Sequence, residues 1–340
     1  MNMRWKAPES GAAAPAEADR VGARWSALRA AGGYGAALSL SLYLLVKVVW
    51  VVAALLGHTP SSFGDGDWIL LNTVTVGMAV VGVVLGLVLA QRPGRRRVPA
   101  PPLIFFAWMA AGFLVPMIPY MLAGAFLGAD SGGGDSGGSG SGDAVPSWEM
   151  VFITIGFAGM ALGVAIALPI HLRERWPAAF LGRIGDRPPP RLARTRLGAL
   201  YVLVAALVLL WTYWTAGGTL GLAPAHRDVM DLNGRLLTGN SALWAALGAA
   251  AIRAIATGRP RMPSWIPMGV AFTSSGSLFA WAAWRLPWAL VRPGGYEAPE
   301  YPAVSVVQYG LSIAAGIIML AALLKAVRSR ATVTARGPGV

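Results

Sequence analysis

The sequence predicts an all-α fold, a polytopic transmembrane helical bundle of about eight spans. Three observations predict it: long apolar runs, a scarcity of charge, and a division of the basic residues between alternate loops. Hydrophobic residues make up 56% of the 340 residues and charged ones 13%, where soluble domains carry about 25% charge. Fourteen Trp and eight Tyr fit the same class, because both side chains enrich at membrane interfaces. With no cysteine, disulfides, thiolate metal sites and cysteine nucleophiles are all excluded.

Residues 1–33 read as a cytoplasmic tail without the short apolar core of a cleavable signal peptide. Val21, Trp25 and Leu28 share one helical face, with Arg20, Arg24 and Arg29 elsewhere. That pattern fits a short interfacial helix, with a disordered tail as the alternative. Apolar runs follow at 34–56, 68–90, 103–127, 148–171, 197–221, 241–257, 266–291 and 303–326, most of them with the ~20 residues that a span needs. The sixth is the weakest, being short, Ala-rich and interrupted by Arg253. Pro116 and Pro119 are expected to kink or break the third helix, and Pro287 the seventh.

Charge sets the expected orientation. The N-terminal segment, the loops after even-numbered helices and the C-terminal segment hold 23 of the 28 basic residues and five acidic ones. The remainder of the chain holds ten acidic residues and five cations: Lys47, Arg227, Arg235, Arg285 and Arg292. By the positive-inside rule the basic loops are cytoplasmic, so both termini lie inside a bacterial inner membrane. The net charge of +13 is then a topological signal and does not point to nucleic acid. Between 128 and 144 the chain is Gly, Ser and Asp apart from Ala129 and Ala144, a tether with nothing sizeable to bury. The G-x-S-x-G match at 134–138 lies in this tether, without the strand and helix that motif requires.

An internal repeat emerges from spacing. Arg97-Val98-Pro99, Arg175-Trp176-Pro177 and Arg261-Met262-Pro263 each precede a helix, where Pro fits the first turn. Trp50 and Gly57, Trp214 and Gly221, and Trp288 and Gly295 mark the outer ends of odd helices, as headgroup anchor and helix terminator. Trp50 to Trp214, Pro60 to Pro224 and Arg97 to Arg261 all keep an offset of 164. Two similar four-helix halves in parallel orientation are therefore expected, at 34–176 and 197–330, joined by a basic linker at 177–196 and followed by a tail at 331–340.

The residues with most chemical promise are two aromatic–cation–Trp triads at i, i+4 and i+7: Tyr43, Lys47 and Trp50, and Trp281, Arg285 and Trp288. Lys47 lies ten residues before Gly57, about 15 Å into the helix at ~1.5 Å per residue. A cation at that depth costs at least about 2.5 kcal/mol without a partner or a wet cavity. One reading makes the six residues a ligand site between the halves for a small anionic or amphipathic molecule, such as a carboxylate or lipid headgroup. The other pairs the cations with Asp67, Glu149 or Asp231, or lets them snorkel. Thr273, Ser274, Ser275, Ser277, Asn72 and Thr73 read chiefly as interhelical hydrogen-bond glue. His58, His171 and His226 lack metal-ligand spacing, and no metalloprotease or P-loop motif occurs.

With its Lys47-x-x-Trp50 helix and Arg-x-Pro loops, the chain from Gly35 to Arg330 resembles uncharacterised multi-pass membrane proteins of high-GC actinobacteria. That resemblance brings no catalytic residue, substrate or cofactor. The residues themselves assign no cofactor, no metal and no catalytic group, and lean away from an enzyme. The bilayer is the one evident partner. A transporter-like or small-ligand-binding protein leads. A non-catalytic component that docks partners or protects the cell is the alternative, and an enzyme acting on lipid or isoprenoid substrates is the second.

Overall fold

A computed structural model describes residues 22–58, 65–92, 99–127, 147–186, 189–190, 192–292 and 298–335. It is all-helical, with no strand among the described residues. The helices are α1 (Ala23–Leu55), α2 (Asp65–Ala90), α3 (Ala100–Leu114), α4 (Met117–Leu127), α5 (Ser147–Arg175), the single-turn α6 (Pro177–Phe180), α7 (Arg194–Thr215), α8 (Leu232–Thr257), α9 (Trp265–Val291) and α10 (Pro302–Ala335). Six helical segments are long and apolar enough to cross a membrane: Ala23–Leu55, Trp68–Ala90, Ala100–Leu127, Trp148–Arg175, Arg194–Thr215 and Pro302–Ser329. The chain is therefore a multi-pass membrane protein by length and composition. Its outer surface agrees: Leu38, Leu45 and Val52, seven residues apart along α1, are all exposed, as are Val202 and Leu209 of α7. Water would penalise such faces, whereas lipid matches them.

Helices α8 and α9 fall outside those six, and their burial explains why. Asn240 of α8 and Ser274, Ser275 and Gly276 of α9 are buried against other helices, where a small or polar side chain is tolerated that lipid would not favour. The segment expected at 241–257 is longer than its apolar run. The helix starts at Leu232, where the Asp231 carboxylate accepts from the Gly234 N–H at 2.8 Å as an N-cap, and it stops at Gly258 in the left-handed conformation. Its 26 residues span about 39 Å at ~1.5 Å each.

Helix α1 begins at Ala23 and runs unbroken past residue 33. Trp25 and Leu28, expected in a separate interfacial helix, are its exposed first turns, while Arg29 is buried. Residues 1–21, including Arg20 and Val21, lie outside the described residues, as do the tether at 128–146 and the tail from 336.

Proline breaks the helix in one of the two expected places. Pro116 separates α3 from α4, and the carbonyl it carries is taken up by Asn240 Nδ2 at 2.9 Å. Helix α9 continues through Pro287 to Val291, because so close to a C-terminus one missing donor leaves the preceding turns intact.

Two packed groups result. In the first, α1 lies between α2 and α5. Gly86 admits Ala37 and Gly33 on one side, and Gly156, Gly159 and Gly163 admit Tyr43, Ser39 and Ala36 on the other. Gly77, expected to serve the same close packing, faces open space. In the second group α9 packs on α8 and α10, and α7 on α8 and α10. The groups meet where α3 crosses α9. There a Cβ on Gly112 would fall on the backbone of Gly276, and one on Gly276 on that of Trp108 and Gly112. Trp108 Nε1 donates to Ser275 Oγ at 2.9 Å across the same crossing. Trp176, Phe180 and Phe272 touch the apolar cores of both groups.

Backbone straps close both ends of the second group. At the basic end Ile184 N donates to Met262 O at 2.9 Å and Ser264 N to Gly182 O at 3.0 Å. At the opposite end Ala223 N donates to Pro299 O and Tyr301 N to Gly221 O, each at 2.9 Å.

Candidate functional site

The first triad folds into one cluster with groups from two further helices. Tyr43, Lys47 and Trp50 share a face of α1, as their spacing requires. The Lys47 ammonium lies 4.0 Å from the Trp50 ring centroid and 5.6 Å from that of Tyr43, and donates to Asn72 Oδ1 on α2 at 3.0 Å. Asn72 is fully buried, and its Nδ2 donates to Trp68 O at 2.9 Å, which turns the amide oxygen toward the ammonium. Trp50 Nε1 donates to Glu149 Oε2 on α5 at 2.9 Å, and Glu149, itself buried, attracts Lys47 electrostatically. Tyr43 packs against Phe157 with the rings tilted and their centroids 4.8 Å apart, a contact for which Gly156 makes room.

The cluster therefore contains one cation, one carboxylate, an amide that bridges helices and an aromatic wall, all within the first group. Its charges balance. Of the partners open to Lys47, the attracting carboxylate is Glu149; the side chain of Asp67 lies outside the described residues. Chemically the arrangement offsets the burial of a cation by a hydrogen bond, a cation–π contact and an opposite charge. It contains no nucleophile held by a general base.

The second triad is built differently. Trp281 packs edge-on against Phe113 of α3, centroids 5.1 Å apart, and so belongs to the crossing between the groups. The Arg285 guanidinium lies 5.6 Å from the Trp281 ring, and Trp288 packs on Trp284 at 5.6 Å. The two triads are not neighbours: α1 packs on α2 and α5, and α9 on α3, α8 and α10. The polar residues around Gly276 serve packing. Ser275 accepts from Trp108, and Ser274 fills the space over Gly248.

Sequence reasoning missed two polar clusters. Adding 164 to Lys47 and Trp50 gives Trp211 and Trp214. Trp211 Nε1 donates to Gln308 Oε1 at 3.1 Å; Gln308 Nε2 donates to Glu300 Oε1 at 2.7 Å, and Ser305 Oγ to Glu300 Oε2 at 3.1 Å. The offset of 164 from Lys47 was the available signal, and it leads to an indole. Trp214 is buried and donates to Leu220 O at 2.8 Å, so it ties down a loop and is no headgroup anchor.

The other cluster lies at the basic end. Arg29 Nε pairs with Glu174 Oε2 at 3.0 Å, and its NH1 donates to Leu89 O at 2.8 Å and Gln91 O at 2.6 Å, clamping α1, α2 and α5. His171 is buried beside it. A signal existed here too, since Glu174 is an acid between two arginines, Arg173 and Arg175. His58 is exposed, and among the described residues no three His, Asp or Glu side chains converge on a metal position.

No family model matches the chain, and no curated protein and no solved structure matches it either.

Proposed function

We propose that this chain is a non-catalytic component of the bacterial cytoplasmic membrane, spanning it eight times in two duplicated halves, with both termini and the basic face on the cytoplasmic side. The observation that carries this reading is the self-sufficiency of the intramembrane charge. Lys47 is matched by Asn72, Trp50 and Glu149 inside its own group of helices, and the crossing between groups is filled by backbone at Gly112 and Gly276. A bundle satisfied in this way needs no ligand to balance it. The basic loops gathered at one end give such a protein a surface for anionic partners.

The transporter-like reading keeps one supporting feature. The break between α3 and α4 at Pro116 is held by Asn240 of α8, a discontinuous helix bridged to the opposite group. The two readings separate on ligand content. Gently purified wild type, Lys47→Ala and Arg285→Ala are compared by mass spectrometry of co-purifying small molecules. The non-catalytic reading expects the same profile in all three. Loss of one molecule from both variants, with the fold intact, overturns it in favour of a ligand site between the halves.

A further inference from the structure

A cleft of about 990 Å³ opens at the basic end of the second group, between the C-terminus of α8 and the linker that follows α6. Its lining includes Arg253, Thr257, Arg259 and Arg261 from α8 and the α8–α9 loop, and Gly185 and Asp186 from the linker. Two left-handed glycines bring these walls together: Gly185 has φ +95° and Gly258 φ +71°, and a Cβ on Gly185 would lie 2.9 Å from the Gly258 carbonyl. The Ile184–Met262 and Gly182–Ser264 backbone bonds hold the linker in place.

Arginines at a helix C-terminus ordinarily serve the terminal carbonyls and the macrodipole. Here two carbonyls of the last turns already have donors. Thr257 Oγ1 donates to Arg253 O at 2.8 Å, and Gly258 N donates to Ala254 O at 3.0 Å. Arg253, Arg259 and Arg261 are all exposed, and none forms a salt bridge with a described carboxylate. Asp186 spends one carboxylate oxygen on the Arg183 N–H at 2.8 Å. Three guanidinium groups against one carboxylate leave the cleft with an excess of two positive charges.

We propose that this cleft binds a phosphate-bearing anion, with Arg253, Arg259 and Arg261 contacting its oxygens. The planar, permanently charged fork of arginine matches phosphate oxygens in pairs. The volume lies at the upper end of small-molecule sites, about 300–1,000 Å³, which suits a group larger than a lone inorganic phosphate. A basic cleft at the end of a helix bundle suits the headgroup of an anionic phospholipid, and a soluble phosphate ester has the same chemistry. This inference stands on the cleft alone and holds whether or not the protein is catalytic.

The test uses the full chain in nonionic detergent, with dioctanoyl phosphatidylglycerol, dioctanoyl phosphatidylcholine and pyrophosphate as probes read by native mass spectrometry. Phosphatidylglycerol is expected to bind about tenfold more tightly than phosphatidylcholine, and Arg259→Gln and Arg261→Gln each to weaken it about tenfold, the loss of one charge-assisted contact. Arg227→Gln, an exposed change at the opposite end, leaves binding unchanged. Pyrophosphate that binds alone and competes identifies a soluble phosphate compound as the occupant, while phosphatidylglycerol that resists competition identifies the lipid. Absence of any preference over phosphatidylcholine together with no pyrophosphate binding overturns the proposal. So does wild-type affinity in the arginine variants, whose unfolding midpoints check that the fold is kept.

Discussion

Gly112 of α3 and Gly276 of α9, 164 residues apart, meet so closely that a Cβ on Gly112 would overlap the Gly276 carbonyl and one on Gly276 would lie 3.1 Å from the Gly112 Cα. The same interval separates Trp50 from Trp214 and Pro60 from Pro224. In the proposed duplication that interval would make the two glycines equivalent positions, and they lie where the two groups of helices touch. The helices that the proposed duplication would pair are packed differently: α1 is held between α2 and α5, whereas α7 leans mainly on α8.

Gly276→Ala is expected to destabilise the bundle by about 1–3 kcal/mol, the usual cost of overpacking a close contact. Gly269→Ala, on the same helix with nothing within 4 Å of the added methyl, serves as the control and should change stability by less than about 0.5 kcal/mol. Reversible unfolding in mixed detergent reads both.

Lys47 and Glu149 should be energetically coupled. A double-mutant cycle with Lys47→Gln and Glu149→Gln is expected to return an interaction of about 0.5–3 kcal/mol. Strict additivity would mean that the two charges do not see one another through Trp50, and that the cluster is not the closed unit described.

Arg29→Ala removes the donor for Glu174, Leu89 and Gln91 at once, leaving a half-buried carboxylate without its cation. The expected loss is about 3–5 kcal/mol. Arg29→Lys should recover only part of it, because one ammonium cannot reproduce the fork that reaches three acceptors.

Asp231→Ala is expected to cost about 0.5–2 kcal/mol as the loss of the α8 N-cap, with Asp231→Asn close to wild type. Should Asp231→Ala have no effect, the polar first turns of α8 would not be part of the helix.

Most of the bundle was legible because lipid-facing helices write themselves as apolar runs. Helix α8 was misread at its start because Asn233, Gly234, Arg235, Thr238 and Asn240 interrupt the run, yet Asn240 faces the break at Pro116 and Asn233 bonds with Tyr120. A polar residue turned toward another helix looks the same in sequence as one in a loop. The first triad was legible from its spacing and its depth. That α1 and α9 pack on different helices was not, since helix spacing gives the face of a residue and leaves open which helix lies opposite. Arg29 was hidden for a further reason: among so many topological arginines, nothing local distinguishes the one that is buried.

The most direct test of the eight-span arrangement uses the absence of cysteine from the chain, which makes single substitutions clean labels. Ala225→Cys, Arg259→Cys and Arg292→Cys bracket α8 and α9, the two helices outside the six long apolar segments. With a membrane-impermeant maleimide on intact cells, positions 225 and 292 are expected to label, and position 259 only after permeabilisation. Labelling of 225 and 259 from the same side would contradict the account, because α8 would then not cross.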